Sequence, residues 1–141
     1  FARTSLSAIH ASNVLHFLTG AQMATALRQF ARWLAPGGRL FIHAATPYRQ
    51  PFAEFIPEYE RRLAAGDEWP GWVDNLRRIS RHRLLGQMPK SMHLLESRLL
   101  ERWLAAGPFA IEQLGEYRAA NLSKTLWLDG RECVAAVALR Q

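Results

Sequence analysis

Hydrophobic and polar positions along the 141 residues change period several times, and each change marks a predicted element. Leu6 to Ala11 is a short, mostly apolar run that reads as a buried strand. The polar pair Ser12-Asn13 follows, then Val14-Leu15-His16-Phe17-Leu18, and Thr19 stands at capping-box spacing from Gln22. Met23, Leu27, Phe30, Ala31 and Leu34 recur at helical spacing, with Arg28, Gln29 and Arg32 on other faces. Pro36-Gly37-Gly38 ends that helix, and Arg39 to Ala45 is a second strand. A strand, a helix of about four turns, a tight turn and a strand predict a βαβ crossover with its two strands parallel.

The rest of the chain is less regular. Phe52 to Leu63 reads as a helix interrupted by Pro57, Gly66 to Trp72 as a turn, and Val73 to Leu85 as a second helix broken off by Gly86 to Pro89. Leu94 to Ala106 is a further helix, stopped by Gly107-Pro108. Phe109 to Leu114 resembles a strand, Asp129-Gly130 marks a turn, and Glu132 to Leu139 is a last strand apolar enough to lie inside a sheet. No repeat or long linker divides the chain, so one domain is expected.

Composition narrows the function classes. The chain is 49% apolar, 21% charged and 11% aromatic, which excludes a disordered or low-complexity protein. No apolar run reaches the ~18 residues of a membrane span. A single cysteine, Cys133, excludes a disulfide framework or cysteine zinc cluster and suits a reducing, cytoplasmic setting. No two histidines share a helix face at metal-ligand spacing. The chain begins at Phe1 without a basic-then-apolar leader, as expected of a processed chain, an isolated domain or a piece of a longer one. The net charge of +6 is scattered, except for Arg77, Arg78, Arg81 and Arg83 around His82. On a helix, Arg77, Arg78 and Arg81 would share a face, either solvated or anion-binding.

Ile9 to Leu18 and the later Leu34-Ala35-Pro36-Gly37-Gly38, at this separation, resemble the fourth strand, following helix and fifth strand of class I S-adenosylmethionine-dependent methyltransferases. Gly107-Pro108-Phe109 resembles the Ala-Gly-Phe before the sixth strand of that family, with Pro108 a departure. The resemblance implies a partial doubly wound, Rossmann-like α/β sheet. Its strands would lie in the order first, second, fourth, third, with the last antiparallel to its neighbours. It also implies a variable helical cap, here residues 49–90. The glycine-rich loop that cradles the cofactor in the family has no counterpart, since the only adjacent glycines are Gly37 and Gly38. The chain therefore resembles the C-terminal half of a methyltransferase, with the N-terminal half of the same fold as its missing partner. Alone it is expected to be inactive and to expose one sheet edge.

Ligands in such sheets sit beyond the carboxyl ends of the parallel strands. By the resemblance, Ala11, Ser12 and Asn13 line the methionine end of S-adenosylmethionine, largely through backbone carbonyls; read alone, Ser12 and Asn13 serve the turn through local hydrogen bonds equally well. His16 is either a packed turn residue or a group beside the transferred methyl, and so the candidate catalytic and cofactor-binding residue. His10 and His43 fall at alternating strand positions and read as structural. Tyr48 lies at the second strand exit as a candidate acceptor contact, and Phe52, Phe55, Tyr59, Trp69 and Trp72 form either a cap mini-core or, in part, an acceptor pocket. His93 either caps the following helix or faces the acceptor. Glu58, Glu60, Asp67 and Glu68 read as solvated. The expected activity is methyl transfer to a small molecule. The rival expectations are an RNA-directed enzyme using Arg77 to Arg83, and a noncatalytic half-domain that associates through its open edge.

Overall fold

The computed structural model describes residues 1–141. Along the chain come β1 (Leu6–Ser12), α1 (Gly20–Trp33), β2 (Leu34–Ala45), α2 (Ile56–Ala64), β3 (Trp72–Val73), β4 (Met92–His93), α3 (Ser97–Ala105), β5 (Phe109–Tyr117) and β6 (Cys133–Arg140). The main sheet has the order β1-β2-β6-β5. β1 and β2 run parallel, with Ile9 opposite Leu40 and Ser12 opposite His43. β6 lies antiparallel between β2 and β5. The crossover is the one expected from the sequence pattern, and the strand order is the one the family resemblance implies.

Local chemistry sets the element ends. The Thr19 hydroxyl accepts from the Gln22 amide at 3.4 Å, while Gln22 Oε1 accepts from the Thr19 amide at 2.8 Å, so two unpaired N–H groups of the first turn are satisfied. α1 stops at Trp33 because Leu34 is already extended, at φ −69° and ψ 134°. Pro36-Gly37-Gly38 is therefore no separate turn but a kink within β2. The register jumps there from Leu6 opposite Leu34 to Ala8 opposite Arg39, with Gly37 at φ +79°. α3 starts at Ser97, later than Leu94, because the carboxylate of Glu96 accepts from the amides of Arg98 and Leu99 and caps it. Leu94 and Leu95 stay extended, donating to the carbonyls of Gly71 and Ala45.

Strand alternation then divides the sheet. Leu40, Ile42, Ala44, Val134, Ala136 and Ala138 point toward α1 and α3, where Met23, Leu27, Leu99, Leu100, Trp103 and Leu104 complete the core. Each fully buried leucine contributes about 1.5–3 kcal/mol over its exposed state. The opposite face carries His10, Phe41, His43, Ala135, Val137 and Tyr117, and no helix covers it; Phe41 and Tyr117 remain 37% and 39% exposed. His10 and His43 therefore sit on the open face of the sheet and not in a core. β1 forms one edge of the sheet.

The segment between β2 and α3 is a cap with its own core, built on Phe52, Phe55, Tyr59, Leu76, Leu85 and Leu94. Pro57 does not interrupt its helix. Residues 50–55 form a 3-10 turn and Pro57 sits in the first turn of α2, where no amide partner is lost. The helix expected over Val73 to Leu85 is absent: β3 pairs antiparallel with β4, and only 3-10 turns at 76–78 and 83–87 remain. Asn75 Oδ1, Ser80 Oγ and His82 Nδ1 each accept from the amide two residues on, and these local bonds displace the helical ladder. Arg77, Arg78 and Arg81 thus share no helix face, and Arg78 pairs with Asp74 at 3.2 Å. No helix is long and apolar enough to cross a membrane.

Candidate active site

The carboxyl ends of β1 and β2 open side by side. At the first, Ala11 is buried toward the helices and Ser12 is exposed. Asn13 turns the chain at φ +52°, a left-handed geometry that Asn tolerates, while its amide donates to the His43 carbonyl at 2.8 Å. The turn that follows, residues 15–17, buries Leu15 and His16. His16 Nδ1 has no hydrogen-bond partner, and Phe17 stands edge-on to its ring at 4.2 Å. Burial first, then the charges of Arg49 and His43, lowers the His16 pKa to about 4, so the ring is neutral near pH 7. Val14 and Phe17, 45% and 52% exposed, make an apolar rim beside it.

At the second exit, Thr46 and Tyr48 are buried, and the Thr46 hydroxyl donates to the Arg131 carbonyl. Arg49 is held by its Nε on the Glu132 carbonyl at 2.8 Å. Arg49 directly follows the strand exit, but nothing local in the sequence marks the Glu132 carbonyl that holds it. A cleft of about 450 Å³ on the open face reaches Ser12 and Asn13 past His10, Phe41, His43 and Tyr117.

The cap closes from the other side through His93. This ring is fully buried, and its Nδ1 lies 3.0 Å from the Leu18 carbonyl, which can only accept, so Nδ1 carries the proton. Nε2 is left as a buried lone pair without a partner. The rings of Trp69 and Trp72 stand edge-on to the imidazole at 5.3 and 5.9 Å. Burial lowers its pKa to about 4, against the opposing pull of the Leu18 hydrogen bond. The two unpartnered buried side-chain atoms of the molecule, on His16 and His93, therefore belong to elements that touch each other. An unpaired buried nitrogen costs about 1–3 kcal/mol.

Tyr48 and Tyr59 are placed differently from the tryptophans. The Tyr48 hydroxyl donates to Glu60 at 2.6 Å, the Tyr59 hydroxyl donates to Glu96 at 2.8 Å, and Arg98 bridges both carboxylates. Both rings lie inside the cap, so this network ties α2 to α3. Glu60 is thus a structural acceptor and not merely solvated, and Glu58 pairs with Arg61 and Arg62. The structure brings Ala11, Ser12, Asn13 and His16 together, joins Trp69, Trp72 and His93 to them through Leu18, and keeps Tyr48 and Tyr59 apart.

Ser12 and Asn13 line the cleft at the first exit, while the unpaired His16 nitrogen is buried. The Glu132 carboxylate, near the second exit, is taken up by Arg118 and the amides of Leu128 and Gly130 and is not free to take ribose hydroxyls. The fold is that of class I S-adenosylmethionine-dependent methyltransferases. The chain is similar to such an enzyme from Methanosarcina mazei, at 13% identity over 99% of this chain and 61% of that one, with TM-score 0.66. It is also similar to one from Mesorhizobium loti, at 19% identity over 98% and 63%, TM-score 0.60. Geranyl diphosphate C-methyltransferase from Streptomyces coelicolor shares the fold at 12% identity over 100% and 49%, TM-score 0.54. The chain spans less than two thirds of the length of each. No protein-family model and no curated protein matches it.

Proposed function

We propose that the chain is the C-terminal part of a cytoplasmic methyltransferase that uses S-adenosylmethionine to methylate a small molecule. The observation that carries this is the meeting of two parallel strand exits, at Asn13 and Thr46, under a cap that contributes a second unpaired imidazole. S-adenosylmethionine supplies a methyl already activated on a sulfonium sulfur. What is left to the protein is positioning and exclusion of water. Ala11 to Asn13 hold the cofactor through backbone atoms, and His16 stands beside it as a neutral acceptor for a polar hydrogen. Trp69 and Trp72 present ring edges and faces to the acceptor, while His93, with its proton fixed on Nδ1, offers Nε2 to an acceptor hydroxyl or amine. The ribose-binding wall comes from the N-terminal half of the fold, which also covers the open face at Phe41 and Tyr117. A small acceptor is favoured over RNA because the expected arginine-lined helix face does not exist.

Tritiated S-adenosylmethionine, added to the protein extended upstream through that half, tests this with a cell extract split into small molecules and RNA. Label is expected in the small-molecule fraction, and label confined to RNA would contradict the reading. In that assay His16→Ala is expected to lower turnover by about ten- to a hundredfold, the cost of a misplaced contact near the reacting atoms. Unchanged kinetics would remove His16 from the site.

A further inference from the structure

Between α1 and α3, away from the strand exits, lies a groove of about 380 Å³ lined by Leu27, Leu99, Trp103 and, from the cap, Trp69. Trp69 is firmly seated. A methyl group at Gly20 would enter its indole, and its other neighbour is the His93 ring at 5.3 Å. Trp103 is fixed by its Nε1, which donates to the Met23 carbonyl at 3.1 Å. Two guanidinium groups, Arg28 and Arg102, complete the lining. Arg28 donates to the Thr25 hydroxyl at 2.9 Å, and Arg102 to the backbone carbonyls of Asp67 and Glu68. Those neutral oxygens orient the arginines without cancelling their charge. None of the chain's eight ion pairs includes either one. Glu68 also lines the groove and takes part in no ion pair, so the charged residues there are two cations and one anion.

We propose that this groove binds a small amphipathic monoanion, an alkyl or aryl carboxylate, on a surface that shares Trp69 with the proposed acceptor side. The apolar body lies along the leucines and the two indoles, where its methylenes are removed from water. The carboxylate meets Arg28 and Arg102 in charge-assisted hydrogen bonds. Glu68 selects a single negative charge by repelling a second. The volume is that of a small-ligand site.

Titration of the 141-residue chain with decanoate, followed by calorimetry and tryptophan emission, tests the proposal, with 1-decanol as the uncharged twin. Saturable one-to-one binding of decanoate is expected, with a change in emission and an affinity at least about tenfold above that of decanol. The R28Q/R102Q double variant is expected to lose that margin, and Ala24→Trp, which fills the groove, to abolish binding. Equal affinity for decanoate and decanol, no saturable decanoate binding by the unmodified chain, or undiminished binding by the Ala24→Trp protein would each overturn it. The comparison of the two ligands on the unmodified chain stands even if a variant fails to fold.

Discussion

Glu132→Ala is expected to lower the unfolding free energy by about 1–3 kcal/mol in urea denaturation, the cost of leaving its partly buried donors without an acceptor. The Glu132 side chain is fully buried where β6 begins. Its carboxylate accepts from Arg118 at 2.9 and 3.1 Å and from the amides of Leu128 and Gly130 at 2.7 and 2.9 Å. Burial pushes its pKa up, but those donors outweigh burial and hold the carboxyl far below the usual carboxylate range. The loop from Arg118 to Arg131 is wound about this one group, and the same residue's carbonyl receives Arg49 and the Thr46 amide. The two amides and Arg118 Nη2 donate to Oε1, and only Arg118 Nε donates to Oε2, so Glu132→Gln keeps three of the four bonds and should lose clearly less stability than the alanine variant. Equal losses in the two variants would show that the charge, not the amide bonds, carries the loop.

Acidification from pH 7.5 to 5 is expected to remove about 4 kcal/mol of stability, roughly 2 from each of His16 and His93. Both rings have pKa values lowered from 6.5 to about 4 in the folded chain. A folded pKa below the unfolded one means that the neutral form is favoured by folding. That contribution is complete above pH 6.5 and disappears as pH falls toward 4. His43 shifts in the same direction, by burial and then by Arg49 and His10. Glu132 acts only lower still, below the ordinary carboxylate pKa of 4.5. Urea titrations at the two pH values, repeated on His93→Gln, provide the check. About half of the pH effect should vanish in the variant, and stability that is flat from pH 7.5 to 5 would contradict the buried neutral imidazoles.

The parallel crossover was legible because three local signals coincide: the apolar run ending at Ala11, the Thr19–Gln22 box and the Pro36-Gly37-Gly38 break. Each acts over a few residues, so each leaves its mark in sequence. The cap was not, because its decisive contacts join distant positions. His93 reaches Leu18, Tyr59 reaches Glu96, and Leu94 pairs with Gly71, where a Cβ would strike the Leu94 carbonyl. Residues 73–85 have enough helix formers to suggest a helix, and only the hydrogen bonds of Asn75, Ser80 and His82 reveal why none forms. Site residues divided the same way. Ser12, Asn13 and His16 follow from their place at a strand exit, whereas Arg49 depends on a carbonyl 83 residues away and Tyr48 on Glu60 and Arg98.

We propose that a single wall, from Ala11 to His16, completes a cofactor site only when the other half of the sheet is beside it. Calorimetric titration of S-adenosylhomocysteine into the 141-residue chain, and into the protein extended upstream through a strand and glycine-rich turn, measures this directly. Weak or undetectable binding to the former is predicted, with saturable one-to-one binding to the latter that Asn13→Val, incompatible with a left-handed backbone, weakens by about tenfold or more. Equally tight binding by both proteins, or no binding by the extended one, would contradict it.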